Sequence, residues 1–215
     1  YPLEPHPPYN GPFNDFHNPL DLQLSRGVYC KLDKGDPIKY RMRSRNFLEE
    51  NLKRDLQHYA GLCYQLDLAV GRILQRLEDL NLDKNTIVLF ISDHGEMMGS
   101  HGFMGKAVMY EDAIRVPLLM RIPESIRHMS HKEVNIPVST VDIVPTLLDL
   151  MGKSSEKDGI QGESLLPLTE GIKPRNRYVV SVLNPSKYAE DWPKKFEELT
   201  EEETYKYYKA SFRTV

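Results

Sequence analysis

From Phe47 onward, apolar residues recur at alternating steps of four and three: Leu52, Leu56, Tyr59, Cys63, Leu66, Val70, Ile73, Leu77 and Leu80. That spacing lays one stripe along a single helix. The seam is strict enough for a coiled coil, but Gly61 and Gly71 interrupt it, and each costs about 1 kcal/mol relative to Ala in a helix interior. A helix packed closely on a sheet could use both glycines for backbone approach, and that is the arrangement expected. "NLDKN" then turns the chain into "TIVLFIS", a continuous β-branched run suited to a strand buried on both faces. "VPLLMRIP" (116–123) repeats the strand signal. "DIVPTLLDLMGK" predicts a helix with Asp142 as its cap, Pro145 in the first turn and Gly152 at its end. "RYVVSVL" (177–183) predicts a further strand, and "DWPKKFEELTEEETYKYYKA" a charged, exposed helix. A helix followed by a buried strand argues for α/β layering.

The first 46 residues lack such periodicity. Pro2, Pro5, Pro7, Pro8, Pro12 and Pro19 punctuate them, which predicts an irregular segment draped over the remainder. Lys and Arg total 28 against 31 acids, leaving a net charge of −3, so there is no basic field for nucleic acid or anionic lipid. Any anion must be held by local groups. The longest apolar run, Ile87 to Ile91, is far short of a bilayer span, so no transmembrane segment is expected. Cys30 and Cys63 lack metal-knuckle spacing and are expected as free thiols. Tyr1 is not an initiator Met and "SFRTV" reads as mid-strand, so truncation at both ends is expected.

The candidate chemistry follows the best strand. In an open α/β sheet, ligands gather beyond the carboxyl ends of strands, and Asp93 and His94 stand at such an end. A carboxylate and an imidazole are two usable ligands for a divalent cation; the alternative is a solvated pair in a loop. Gly95, Gly99, Gly102 and Gly105 permit close backbone approach to a ligand, and Lys106 follows as a point charge suited to an oxyanion. Lys106 could equally be a surface lysine. "PHPPY" presents His6 in a proline frame, where it is either a loop histidine or a group able to protonate a leaving oxygen near neutral pH.

Together, "PHPPY", "YQLDLAVGRILQRLEDLNLDKNTIVLFISDHGEMMGSHGFMGK", "YEDAIRVPLLMRIP", "VSTVDIVPTLLDLMG" and "IQGESLLPL" resemble the sulfatase family of the alkaline phosphatase superfamily. The resemblance implies an α/β sandwich, a mostly parallel sheet between helices, with residues 1–170 as the later part of the catalytic domain and 171–215 as the start of a smaller C-terminal subdomain. It implies that Asp93 and His94 are metal ligands, that Lys106 binds sulfate, and that His6 lies near the sulfate and the leaving oxygen. The implied cofactors are one divalent cation, calcium, with manganese or zinc as alternatives, and a formylglycine nucleophile. Neither cysteine fits the modification motif, since Cys30 precedes "KLDK" and Cys63 precedes "YQLD". No nucleophile is therefore assigned within this chain, and the fragment alone is expected to be inactive.

The implied reaction is hydrolysis of a sulfate ester. A phosphoester or phosphonate ester hydrolase of the same superfamily, or a noncatalytic anion-binding protein, are the alternatives. Glu96, His101, Glu111 and Asp112 are expected to be supporting or surface residues rather than reacting ones.

Overall fold

The structure is a computed structural model and describes residues 11–32, 44–129, 133–154, 159–172, 178–183 and 212–214. His6 and the charged segment near 191–210 lie outside the described residues. The described chain divides into two compact units, one holding 11–32, 44–80 and 92–117, the other 81–91, 118–183 and 212–214.

The first unit is organised around helix α1, Glu49–Asp79. Glu49 and Glu50 occupy its first turn, where acidic side chains oppose the positive end of the helix dipole. Lys53 pairs with Glu49 at 3.0 Å, one turn apart. Past its last turn, Asn81 adopts a left-handed φ of 55° and the helix stops. Leu52, Gln57 and Gly61 are its buried residues.

The stripe read from the sequence is used over only part of its length. Leu52 is 1% exposed, whereas Ile73 is 62% exposed and Cys63 faces solvent. The partner is also different from the sheet anticipated. A Cβ at Gly61 would run into the Phe13 carbonyl, so the irregular 11–32 segment is what approaches this helix closely. The Gln57 amide donates to the His17 carbonyl at 2.8 Å, and Phe16 stacks on Tyr64 with ring centroids 4.0 Å apart. At Gly71 a Cβ would meet nothing within 4 Å. The expected draping of the proline-rich stretch therefore holds for residues 11–32.

The remaining core of this unit is made by the 92–117 segment itself. Met97, Phe103, Val108 and Ala113 are buried together, with Leu32, Tyr110 and Ile114 packed against them. Helix α2, Glu111–Ile114, is a single turn within it.

In the second unit, β1 (Val88–Ile91) pairs antiparallel with β2 (Leu118–Arg121), Val88 opposite Arg121 and Ile91 opposite Leu118. A mostly parallel sheet was expected; both strand pairs among the described residues run antiparallel. A parallel neighbour needs a crossover that carries the chain back along the sheet. The 92–117 connection instead folds into its own core and contains just a 3-10 turn at Ser100–Gly102 and the one-turn α2, with no crossover helix. Every residue of β1 is half-buried rather than fully buried, and Leu119 of β2 is 63% exposed.

Helix α3, Ile143–Leu150, follows a 3-10 turn at Thr140–Asp142. Asp142 holds its N-cap position, as anticipated, but the carboxylate makes no cap bond to α3 and serves the preceding turn instead. Ser139 caps the turn, and Asp142 is the reciprocal member of a capping box, its Oδ2 accepting the Ser139 N–H at 2.7 Å. Buried Asp142 also accepts the Glu163 N–H at 2.9 Å, and Thr146 Oγ1 accepts the Leu165 N–H at 2.9 Å. These bonds clasp the 162–165 segment onto the start of α3. Helix α4, Leu166–Thr169, follows, and β3 (Ser181–Leu183) pairs with β4 (Phe212–Thr214). Of the strand anticipated at 177–183, the described residues 178–180 are irregular and Ser181–Leu183 form the strand.

Candidate functional site

Asp93 and His94 leave β1 after Ser92, at the position anticipated. Ser92 Oγ donates to the His94 carbonyl at 2.7 Å, and the His94 N–H donates to Asp93 Oδ1 at 2.9 Å. The backbone of this dipeptide is therefore held by its own neighbours. Asp93 Oδ2 lies 3.5 Å from His94 Nε2, with the carboxylate side chain 84% exposed and the imidazole 27% exposed. The acid can thus be reached from solvent.

The tautomer follows from the other ring nitrogen. His94 Nδ1 sits 2.9 Å from the Gly95 carbonyl oxygen, and a carbonyl only accepts, so Nδ1 carries the hydrogen. In the neutral ring Nε2 then holds a lone pair facing a carboxylate oxygen. Two acceptors so placed are stable together when a proton or a cation is shared between them. A separation of 3.5 Å is that of neighbouring donors around one cation with bonds of about 2.4 Å. A ligating histidine whose second nitrogen donates to a carbonyl is the usual outer arrangement of such sites. The donor pair therefore fits a divalent cation. Among the described residues no group of three or more His, Cys, Asp or Glu side chains is assembled.

Lys106 is half-buried on the loop that begins at this dipeptide. The loop is closed by backbone bonds from Gly95 N–H to the Ala113 carbonyl (2.8 Å), Met97 N–H to Gly105 (2.9 Å) and Gly99 N–H to Phe103 (2.7 Å). Glu96 adds a side-chain brace, its Oε1 accepting the Gly105 N–H at 2.5 Å and the Met98 N–H at 3.4 Å. Half-burial raises the nearby Tyr59 phenol above its usual range, with Cys63 and Glu96 adding smaller electrostatic contributions. Tyr59 on α1 thus stays a neutral neighbour of Glu96.

The glycines serve a different purpose from the one anticipated. At Gly95 a Cβ would strike the Asp112 carbonyl, at Gly99 the Leu52 side chain, and at Gly102 the Arg45 backbone. Chain packs against chain at all three positions. Gly105 has open space around it but a φ of +80°, a conformation side chains rarely adopt. His101 takes a left-handed φ of 53°, and its ring stacks on Tyr110 with centroids 4.0 Å apart. Glu111 is exposed and within 3.9 Å of Arg115. Asp93, His94 and Lys106 thus share one braced segment, while His6 lies outside the described residues. Glu96 was expected as a supporting or surface residue, but spacing rules did not indicate what it braces, because its partners are backbone N–H groups nine and two residues away.

Comparison with known proteins identifies the family of the chain. The sulfatase family model matches residues 2–153. The chain is 32% identical over 194 residues to an ulvan-active sulfatase of Formosa agariphila, covering 89% of this chain and 34% of that protein. It is 38% identical over 129 residues to arylsulfatase K of Danio rerio, covering 60% of this chain and 24% of that protein. The phosphonate monoester hydrolase of Silicibacter pomeroyi, 24% identical, has the same fold, with a TM-score of 0.68 over 85% of this chain and 39% of that one. The chain spans about a third of the length of the first of these relatives. A family match over most of the chain makes this protein a member of the sulfatase family, with an alkaline phosphatase-like α/β fold.

Proposed function

We propose that the protein containing this chain hydrolyses a sulfate ester to an alcohol and sulfate. The observation that carries the reading is the pairing of Asp93 Oδ2 and His94 Nε2 at 3.5 Å, on the same braced loop as Lys106, in a chain of the sulfatase family. Asp93 and His94 would hold a divalent cation, with calcium favoured by the exposed carboxylate and manganese or zinc by the imidazole. When bound, the cation supplies Lewis acidity toward a sulfate oxygen. Lys106 neutralises charge on the sulfate oxygens as it builds in the transition state. His6, on the motif match, donates a proton to the departing alcohol oxygen. The family in general is metal-dependent and uses formylglycine; no such nucleophile motif occurs in these 215 residues, so the attacking group is assigned outside them.

Hydrolysis of phosphonate or phosphate esters is the second reading, favoured by the shared fold with a phosphonate monoester hydrolase. The deciding assay offers the calcium-loaded full-length protein an aryl sulfate, an aryl phosphate and an aryl phosphonate monoester. Preferred turnover of the sulfate, abolished by chelation and lowered about 100-fold or more in Lys106→Ala, is the expected result. Preference for either phosphorus ester would replace the sulfatase reading.

A further inference from the structure

We propose that Glu96 is the positioning residue for Lys106. The inference rests on the reading of Lys106 as an anion-binding group. Lys106 leaves the chain from Gly105, and both hydrogen-bonding groups of Gly105 are fixed. Its N–H donates to Glu96 Oε1 at 2.5 Å, and its carbonyl accepts the Met97 N–H at 2.9 Å. Two consecutive peptide planes ahead of the lysine Cα are therefore set by residues 96 and 97. Gly105 at φ +80° has no side chain of its own to restrain that geometry, so the bonds from across the loop are what hold it.

The far side of the brace is equally anchored. Gly95 N–H is tied to the Ala113 carbonyl at 2.8 Å, and the Gly95 carbonyl receives the His94 Nδ1–H at 2.9 Å. One run of residues, 93 to 97, thus orients both the acid–imidazole pair and, through Glu96, the lysine. A carboxylate near an anion site would ordinarily repel the anion. Here Glu96 Oε1 accepts two backbone N–H groups, Gly105 and the longer Met98 contact at 3.4 Å, so its charge is turned to the loop. What the position needs is an acceptor of the right reach, and charge is secondary.

The test uses the calcium-loaded full-length protein and two readouts, calorimetric binding of inorganic sulfate and turnover of an aryl sulfate. Glu96→Ala is expected to weaken sulfate binding about tenfold and to lower kcat/KM about 100-fold, the scale of a misplaced reacting group. Glu96→Gln, whose amide oxygen can accept the same N–H groups, is expected to stay within about threefold of wild type on both. In a Lys106→Ala background, Glu96→Ala is expected to add less than about twofold, because a residue that acts through the lysine has nothing further to lose. Should Glu96→Ala fail to fold, Glu96→Asp, which keeps the charge and shortens the reach, replaces it in the same cycle. Losses that multiply in the double variant, or a Glu96→Gln as impaired as Glu96→Ala, would overturn the proposal. Wild-type sulfate binding without aryl sulfate turnover would overturn the hydrolase reading, while the binding cycle would still decide Glu96. Absence of wild-type sulfate binding would overturn both.

Discussion

His94 shows how much a single hydrogen bond decides. Its Nδ1 contact with the Gly95 carbonyl at 2.9 Å assigns the hydrogen to that nitrogen and leaves Nε2 to face Asp93. Orientation by an outer partner of this type is worth about 10- to 100-fold in metal affinity in comparable sites, and loss of a ligand outright costs more. In the full-length protein, His94→Ala and Asp93→Ala are each expected to weaken calcium binding at least about 100-fold, measured calorimetrically. Lys106→Ala should leave calcium affinity within about threefold, because an ammonium is no cation ligand. Equal calcium binding by wild type and His94→Ala would remove His94 from the metal site.

At the scale of elements, the two glycines of α1 make opposite predictions although both interrupt the same stripe. Gly61 lies against the Phe13 carbonyl, and a methyl group there must push the 11–32 segment away. Gly61→Ala is expected to destabilise by about 1–3 kcal/mol, the usual cost of overpacking. Gly71 has nothing within 4 Å of a Cβ, so Gly71→Ala should stabilise by about 0.5–1 kcal/mol through helix propensity alone. Urea unfolding of both variants checks the pair, and the same sign for both would contradict the packing described. The clasp at Asp142 is a second element-scale device. Asp142→Ala leaves the Ser139 and Glu163 N–H groups without their acceptor and should cost about 2–4 kcal/mol, taking each charged-acceptor bond at its lower range. Protection of those amides from hydrogen exchange, retained in Asp142→Ala, would argue against it.

At the scale of the whole molecule, the stripe that organises α1 continues past the residues it buries. Ile73 is 62% and Leu80 48% exposed, one heptad apart on the same face. Contiguous exposed apolar surface promotes association. The 215-residue chain by itself is expected to bind a hydrophobic dye, and Ile73→Lys with Leu80→Lys should reduce that binding without lowering helix content by circular dichroism. Unchanged dye binding in the double variant would place the sticky surface elsewhere. No helix among the described residues is long and apolar enough to cross a membrane.

The sequence by itself determined the features that depend on neighbours along the chain. The four-and-three spacing set helix α1 to within two residues of its predicted start, since helical periodicity is local. Two apolar runs set β1 and β2, and the abrupt change after Ile91 marked where Asp93 and His94 leave the strand. Motif order carried the sulfatase resemblance, which the family match bears out. Only the tertiary structure decided what those elements touch. It put the 11–32 segment against Gly61, turned β2 antiparallel to β1, turned the Asp142 carboxylate to the Ser139 and Glu163 N–H groups, and aimed Glu96 at the Gly105 N–H. Each of these rests on a backbone carbonyl or N–H brought near from elsewhere in the chain. Every non-proline residue carries the same two groups, so residue type cannot announce which of them will meet.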